Sequence, residues 1–80
     1  MRKRIHALDH FIGGKIVEAR RLRGLTVSQL ARRLGITSKR LLDYERGRTI
    51  TRLRLIVVLS AQLDIPPAWF FQGYNGGGAS

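Results

Sequence analysis

The sequence contains no cysteine, only two prolines, and only five carboxylate side chains in 80 residues. Without cysteine, neither a disulfide frame nor a thiolate metal site is available. A chain this short must then build its core by packing alone, and pairing with a second copy would help it. No apolar run approaches the ~20 residues that span a bilayer. The start, "MRKRIHALDHFIGG", is basic but lacks the continuous apolar stretch of a signal peptide, so the expected location is cytoplasmic, on the nucleoid. No segment alternates with the period of a strand. There is no carboxylate pair in a plausible pocket and no glycine-rich loop between a strand and a helix. Neither enzymatic activity nor a cofactor is expected.

Positive charge, by contrast, is plentiful. Fifteen Lys and Arg give a formal net charge of +10 and a sequence pI near 11.7, a balance that attracts polyanions. The arginines run through the first two-thirds of the chain and stop after Arg54, so the cationic surface belongs to the fold rather than to a detachable tail. A hydrophobic content of 44% argues against disorder.

Five helical segments are expected. Asp9 can cap a first helix to about Arg23, with Ile12, Ile16, Ala19 and Arg20 on one face and Gly24 as its stop. "TVSQLARRL" opens with Thr26 as N-cap and Gln29 three residues on, a capping-box pattern. It turns Leu30 and Leu34 inward, and Arg32 and Arg33 outward. After Gly35 and Ile36, Thr37 caps a third helix to Arg46, ended by Gly47. A fourth, from about Arg52 to Leu63, has Leu55, Ile56, Leu59, Ser60 and Leu63 on one side. Val57, Val58 and Ala61 occupy the other, and a helix apolar all round is usually buried. Asp64 closes it, and Pro67 can start a last short helix, "PAWFF". "GYNGGGAS" reads as a flexible tail.

The most informative spacing links Ala31, Gly35 and Leu41. Ala31 is small where the second and third helices cross, Gly35 can take the left-handed turn, and Leu41 plugs the joint. Leu30, Leu34, Ile36 and Tyr44 fill the adjacent inward positions. This is the sequence form of a DNA-binding helix-turn-helix. From Asp9 to Gly73 the chain resembles the phage repressor and Cro-like (XRE-type) regulators, through "IGGKIVEARRLRGLTVSQLARRLGITSKRLLDYERG" and "LSAQLDIPPAWFF". The resemblance implies an all-α, compact five-helix repressor-like domain over residues 9–73, with its helix-turn-helix in helices 2 and 3. A basic arm, residues 1–8, and a glycine-rich tail, residues 74–80, flank it. It also implies a structural ion pair between Arg20 and Glu45, and phosphate contacts at the helix starts marked by Thr26, Val27 and Thr37. Family members usually carry glutamine where Val27 stands. Valine leaves only backbone N–H groups for the phosphate.

Unrolling the third helix at 100° per residue with Leu41 inward turns Lys39, Leu42, Asp43 and Arg46 outward, with Ser38 in the first turn. In a major groove Lys39 can donate to guanine, Asp43 can accept from cytosine, Leu42 can meet a thymine methyl, and Ser38 can read either way. Arg40, Arg46 and Arg48 suit phosphates, and Arg54 the backbone or a minor groove. Plainer readings stand beside these. Lys39 and Asp43 can form only an i,i+4 pair, Leu42 can be a core or dimer residue, and Arg32 and Arg33 can touch nothing. Arg2, Lys3 and Arg4 are either a DNA-following arm or a solvated terminus. His6 and His10 have zinc-compatible spacing but no third ligand, so no metal is expected.

The expectation is a sequence-specific double-stranded DNA-binding regulator, a repressor that binds an inverted-repeat operator as a homodimer. The dimer face would be Val57, Val58 and Ala61 with Trp69, Phe70 and Phe71. An antitoxin-like module that binds a protein partner is the alternative. Membrane binding is not expected, because the basic and apolar faces are not cleanly separated, and no small-molecule ligand is evident.

Overall fold

The computed structural model describes residues 7–74. Four α-helices follow one another: α1 (Ala7–Leu22), α2 (Val27–Leu34), α3 (Ser38–Glu45) and α4 (Leu53–Leu63). The fifth segment, Pro67–Phe71, is a 3₁₀ helix, so the expected fifth α-helix is corrected to a single tighter turn. Pro66 and Pro67 remove two backbone donors, and 3₁₀ geometry is used in short pieces such as this one. The described residues contain no strand, and none of their helices is long and apolar enough to cross a membrane.

One core runs through all five elements. Ile12, Ile16 and Ala19 of α1 meet Leu30 and Ala31 of α2, Leu41 and Tyr44 of α3, and Ile56, Leu59 and Leu63 of α4; Ile65 and Phe70 close the group. The spacings within α1 and α4 are those of one helical face, which is why each presents a continuous stripe. Ser60 is buried on that stripe with its polar group satisfied, because its hydroxyl donates to the Ile56 carbonyl at 2.8 Å.

The first helix begins earlier than the sequence suggests. Asp9 is not its N-cap: it lies inside the first turn and is buried. Its carboxylate accepts a hydrogen bond from the backbone N–H of Thr51 at 2.8 Å, so it satisfies the loop that leads into α4. Arg23 serves the other end of α4. Its Nε donates to the Leu63 carbonyl at 2.8 Å and its Nη2 to the Asp64 carbonyl at 3.2 Å, groups that the helix leaves without internal partners. Asp64 itself sits at φ 55°, a left-handed cap that aspartate tolerates better than most residues.

The chain's end folds back on its beginning. Lys15 Nζ lies 3.9 Å from the centre of the Trp69 ring, and Phe11 meets Tyr74 with ring centroids 5.3 Å apart. Tyr74 therefore packs on α1 and is not the first residue of a tail. Ala7 and Leu8 likewise belong to α1 and not to an N-terminal arm. Arg2, Lys3, Arg4, His6 and residues 75–80 lie outside the described residues.

Candidate nucleic-acid interface

Two capped helix starts and one left-handed turn build the α2–α3 unit. Thr26 Oγ1 accepts from the Gln29 backbone N–H at 3.1 Å, while Gln29 Oε1 accepts from the Thr26 N–H at 2.8 Å. Both donors would otherwise be unsatisfied at a helix N-terminus. Thr37 does the same for α3, its hydroxyl accepting from the Arg40 N–H at 3.1 Å. Between the helices Gly35 adopts φ 72° and ψ 29°, and the Ile36 N–H reaches back to the Ala31 carbonyl at 3.0 Å. A side chain at Gly35 would strain this turn, which sets the crossing of α2 and α3. Ala31 and Leu41 are buried at that crossing.

The base of α3 is fixed to α1. Arg20 Nε lies 2.7 Å from Glu45 Oε2, and Nη2 donates to Oε1 at 3.2 Å, a forked pair. A third bond runs from Arg20 Nη1 to the Leu25 carbonyl at 3.1 Å. The Glu45 side chain is only 4% exposed. Beside it α1 comes so close that a Cβ on Gly13 would stand 2.6 Å from the carbonyl oxygens of both Tyr44 and Glu45. The sequence does not announce this contact, because a glycine inside a helical pattern carries no local sign of what faces it.

With its base held, α3 presents Ser38, Lys39 and Arg40 to solvent at its N-terminal end, and Arg46 just past its C-terminus. Leu42 and Asp43 are half-buried. Lys39 Nζ and Asp43 Oδ2 are 3.5 Å apart, so they meet as an i,i+4 pair in the unbound chain. An exposed pair of this kind contributes only about 0.3–0.5 kcal/mol, little to set against an exchange of partners. Arg40 leans along the helix: its Nη2 donates to the Tyr44 hydroxyl at 3.2 Å and its guanidinium lies 5.6 Å from the ring centre. Arg48 is exposed after the turn, and Arg54 is exposed in the first turn of α4. The Val27 side chain packs against the core, so this position offers a phosphate only its backbone.

The outer side of α4 is open, not buried. Val57 is 53% exposed, and Val58 and Ala61 are also accessible. Leu53, exposed one turn earlier, extends the same apolar surface. Of the three aromatic residues expected on a dimer face, Phe71 is exposed and Trp69 is half-buried against Lys15. Phe70 is completely buried and is removed from that face, because it plugs the chain's own core. His10 is exposed, and the described residues contain no group of three or more His, Asp or Glu arranged to hold a metal.

A family model described as helix-turn-helix matches residues 16–70. An uncharacterized HTH-type transcriptional regulator of Rickettsia conorii is 33% identical over 69 residues, covering 86% of this chain and 55% of that protein. The chain spans about half the length of several such curated relatives. Among solved structures, the restriction-modification controller protein C.AhdI from Aeromonas hydrophila superposes with a TM-score of 0.75 at 30% identity, over 82% of this chain and 100% of that one. The clp gene regulator ClgR from C. glutamicum has a TM-score of 0.76 at 23% identity, over 80% of this chain and 83% of its own, a likeness of fold.

Proposed function

The chain belongs to the helix-turn-helix family of transcriptional regulators, whose members bind DNA, and from that premise we propose that it is a sequence-specific repressor acting as a homodimer on an inverted-repeat operator. The observation that carries this reading is the division of α3. Leu41, Tyr44 and Glu45 are buried and anchor the helix, while Ser38 and Lys39 stand clear of the fold and Arg40 is exposed along its side. A helix held by one face and bare on the other fits a major groove.

In this reading Ser38, Lys39, Leu42 and Asp43 meet base edges. Lys39 gives up its weak pairing with Asp43 to donate to guanine, which frees the carboxylate to accept from a cytosine amino group. Thr26, Val27 and Thr37 present helix N-termini to phosphates, and Arg40, Arg46, Arg48 and Arg54 supply guanidinium groups around them. Two copies joined through Val57, Val58 and Ala61, with Trp69 and Phe71 at the margin, would place two α3 helices in successive major grooves about 34–36 Å apart.

Selection of bound sequences from a random duplex pool tests all of this together; recovery of an inverted repeat is the expected result, and unenriched sequence would sink it. With the recovered operator, Lys39→Ala should erase about 1–3 kcal/mol of preference at one base pair in each half-site while leaving random DNA bound as before. Arg48→Ala should instead weaken operator and random DNA alike, and reduce the slope of log K against log salt by about 1 per protomer. Equal losses on both DNAs from Lys39→Ala would remove it from the base readers.

The exposed α4 face also suits a different protein, as in an antitoxin-like arrangement. Sedimentation separates the two readings. A dimer at micromolar concentration supports self-pairing, whereas a monomer that dimerises on neither concentration nor DNA favours the foreign partner.

A further inference from the structure

Arg40, Arg52 and Arg54 surround a groove of about 550 Å³ between the α2–α3 unit and α4. Its floor is apolar: Leu34, Ile36 and Leu55 are half-buried, Tyr44 lies deeper, and Val58 forms the outer edge. No aspartate or glutamate lines it. The volume is within the range of small-molecule sites, which combine an apolar lining with a few placed polar groups.

The occupant must match both features. A phosphodiester backbone answers the arginines but makes no use of the floor. A second copy docked by this same surface would answer the floor, yet it would press three more guanidinium groups against these three. We propose that the groove binds a small amphipathic organic anion: a carboxylate on an aliphatic body of about eight to ten carbons. The carboxylate takes forked hydrogen bonds from Arg52 and Arg54, and the chain lies over Leu34, Ile36 and Leu55. Arg40 is already held at the rim by its bond to the Tyr44 hydroxyl.

The site has a regulatory consequence, which rests on the DNA reading proposed above. Arg40 and Arg54 are two of its phosphate contacts and Val58 belongs to its dimer face, so an anion in the groove neutralises cations that DNA would use. Occupancy should lower DNA affinity.

Decanoate, acetate and decyltrimethylammonium, titrated into the full chain and followed by amide NMR shifts, test the binding. Decanoate should give saturable shifts centred on Leu34, Ile36, Tyr44 and Leu55, with Kd below about 1 mM, and the head alone or the cationic chain should not. Arg52→Glu, an exposed position whose side chain makes no helix cap, should weaken decanoate about tenfold while the melting curve stays in place. An absence of decanoate shifts, shifts scattered over the whole cationic surface, an equal response to acetate, or unchanged affinity in Arg52→Glu would each overturn the proposal. In a second arm decanoate should raise the Kd for duplex DNA in the natural sequence, and in Arg52→Glu only at about tenfold higher concentration. A chain that binds no duplex at all defeats the DNA reading, while the NMR titration still decides the groove.

Discussion

Alanine in place of Glu45 should cost about 3–5 kcal/mol, because it strands the Arg20 guanidinium in the space between α1 and α3 without its carboxylate. Domains of this size have little to spare, and each kcal/mol corresponds to about 4–8 °C, so the melting midpoint should fall on the order of 20 °C. The loss reflects an uncompensated charge more than the strength of the pair. Replacing both partners by apolar residues of similar size, Arg20→Met with Glu45→Leu, should therefore recover most of the stability. Thermal unfolding of the two variants side by side checks this. A single-mutant loss under about 1 kcal/mol would mean that the pair behaves as a solvated surface contact. DNA affinity should follow the same order, since this pair fixes the base of the helix proposed to read bases.

The second large effect separates two neighbouring glycines. Gly13→Ala drives a methyl group to 2.6 Å from two carbonyl oxygens of α3, and both are backbone atoms that no rotamer change can move aside. Overpacking costs about 1–3 kcal/mol, occasionally more, and two simultaneous backbone clashes put this case at the upper end, above the gain of about 1 kcal/mol that alanine brings to a helix interior. Gly14→Ala meets nothing within 4 Å and should stabilise the same helix by about 0.5–1 kcal/mol. Urea unfolding of the two variants should give opposite signs. A stabilised Gly13→Ala would mean that α1 and α3 separate without penalty.

These two cases mark where the sequence is readable. Thr26 with Gln29, Thr37, and Gly35 act on groups within five positions of themselves, so their pattern suffices to place α2, α3 and the turn between them. The outward direction of Lys39 and Arg46 follows from the helical period once Leu41 points in, whereas Leu42 and Asp43, expected to point outward with them, are half-buried. Asp9 has the sequence look of a cap because its partner, the Thr51 amide, is 42 positions away and nothing local announces it. Gly13 is silent in the sequence for the same reason, since the α3 carbonyls that face it are more than 30 positions away. Phe70 and Phe71 are indistinguishable in the sequence, and only the docking of the 3₁₀ turn sends one into the core and leaves the other at the surface. The groove joins distant parts of the chain, since Arg40 lies on α3, Arg52 at the start of α4 and Arg54 in its first turn.

The contact between Lys15 and Trp69 gives the chain a built-in optical reporter. Trp69 is its single tryptophan, with an ammonium group over its face and the Phe70 ring edge-on at a centroid distance of 5.2 Å. A cation at that position perturbs the indole's charge distribution, so emission colour registers whether the 3₁₀ turn is seated on α1. Neither α3 nor the arginine-rimmed groove contains a tryptophan of its own. Fluorescence can therefore follow closure of the fold while NMR or DNA binding follows the two surfaces, and a variant that has lost its shape can be told from one that has lost only its chemistry.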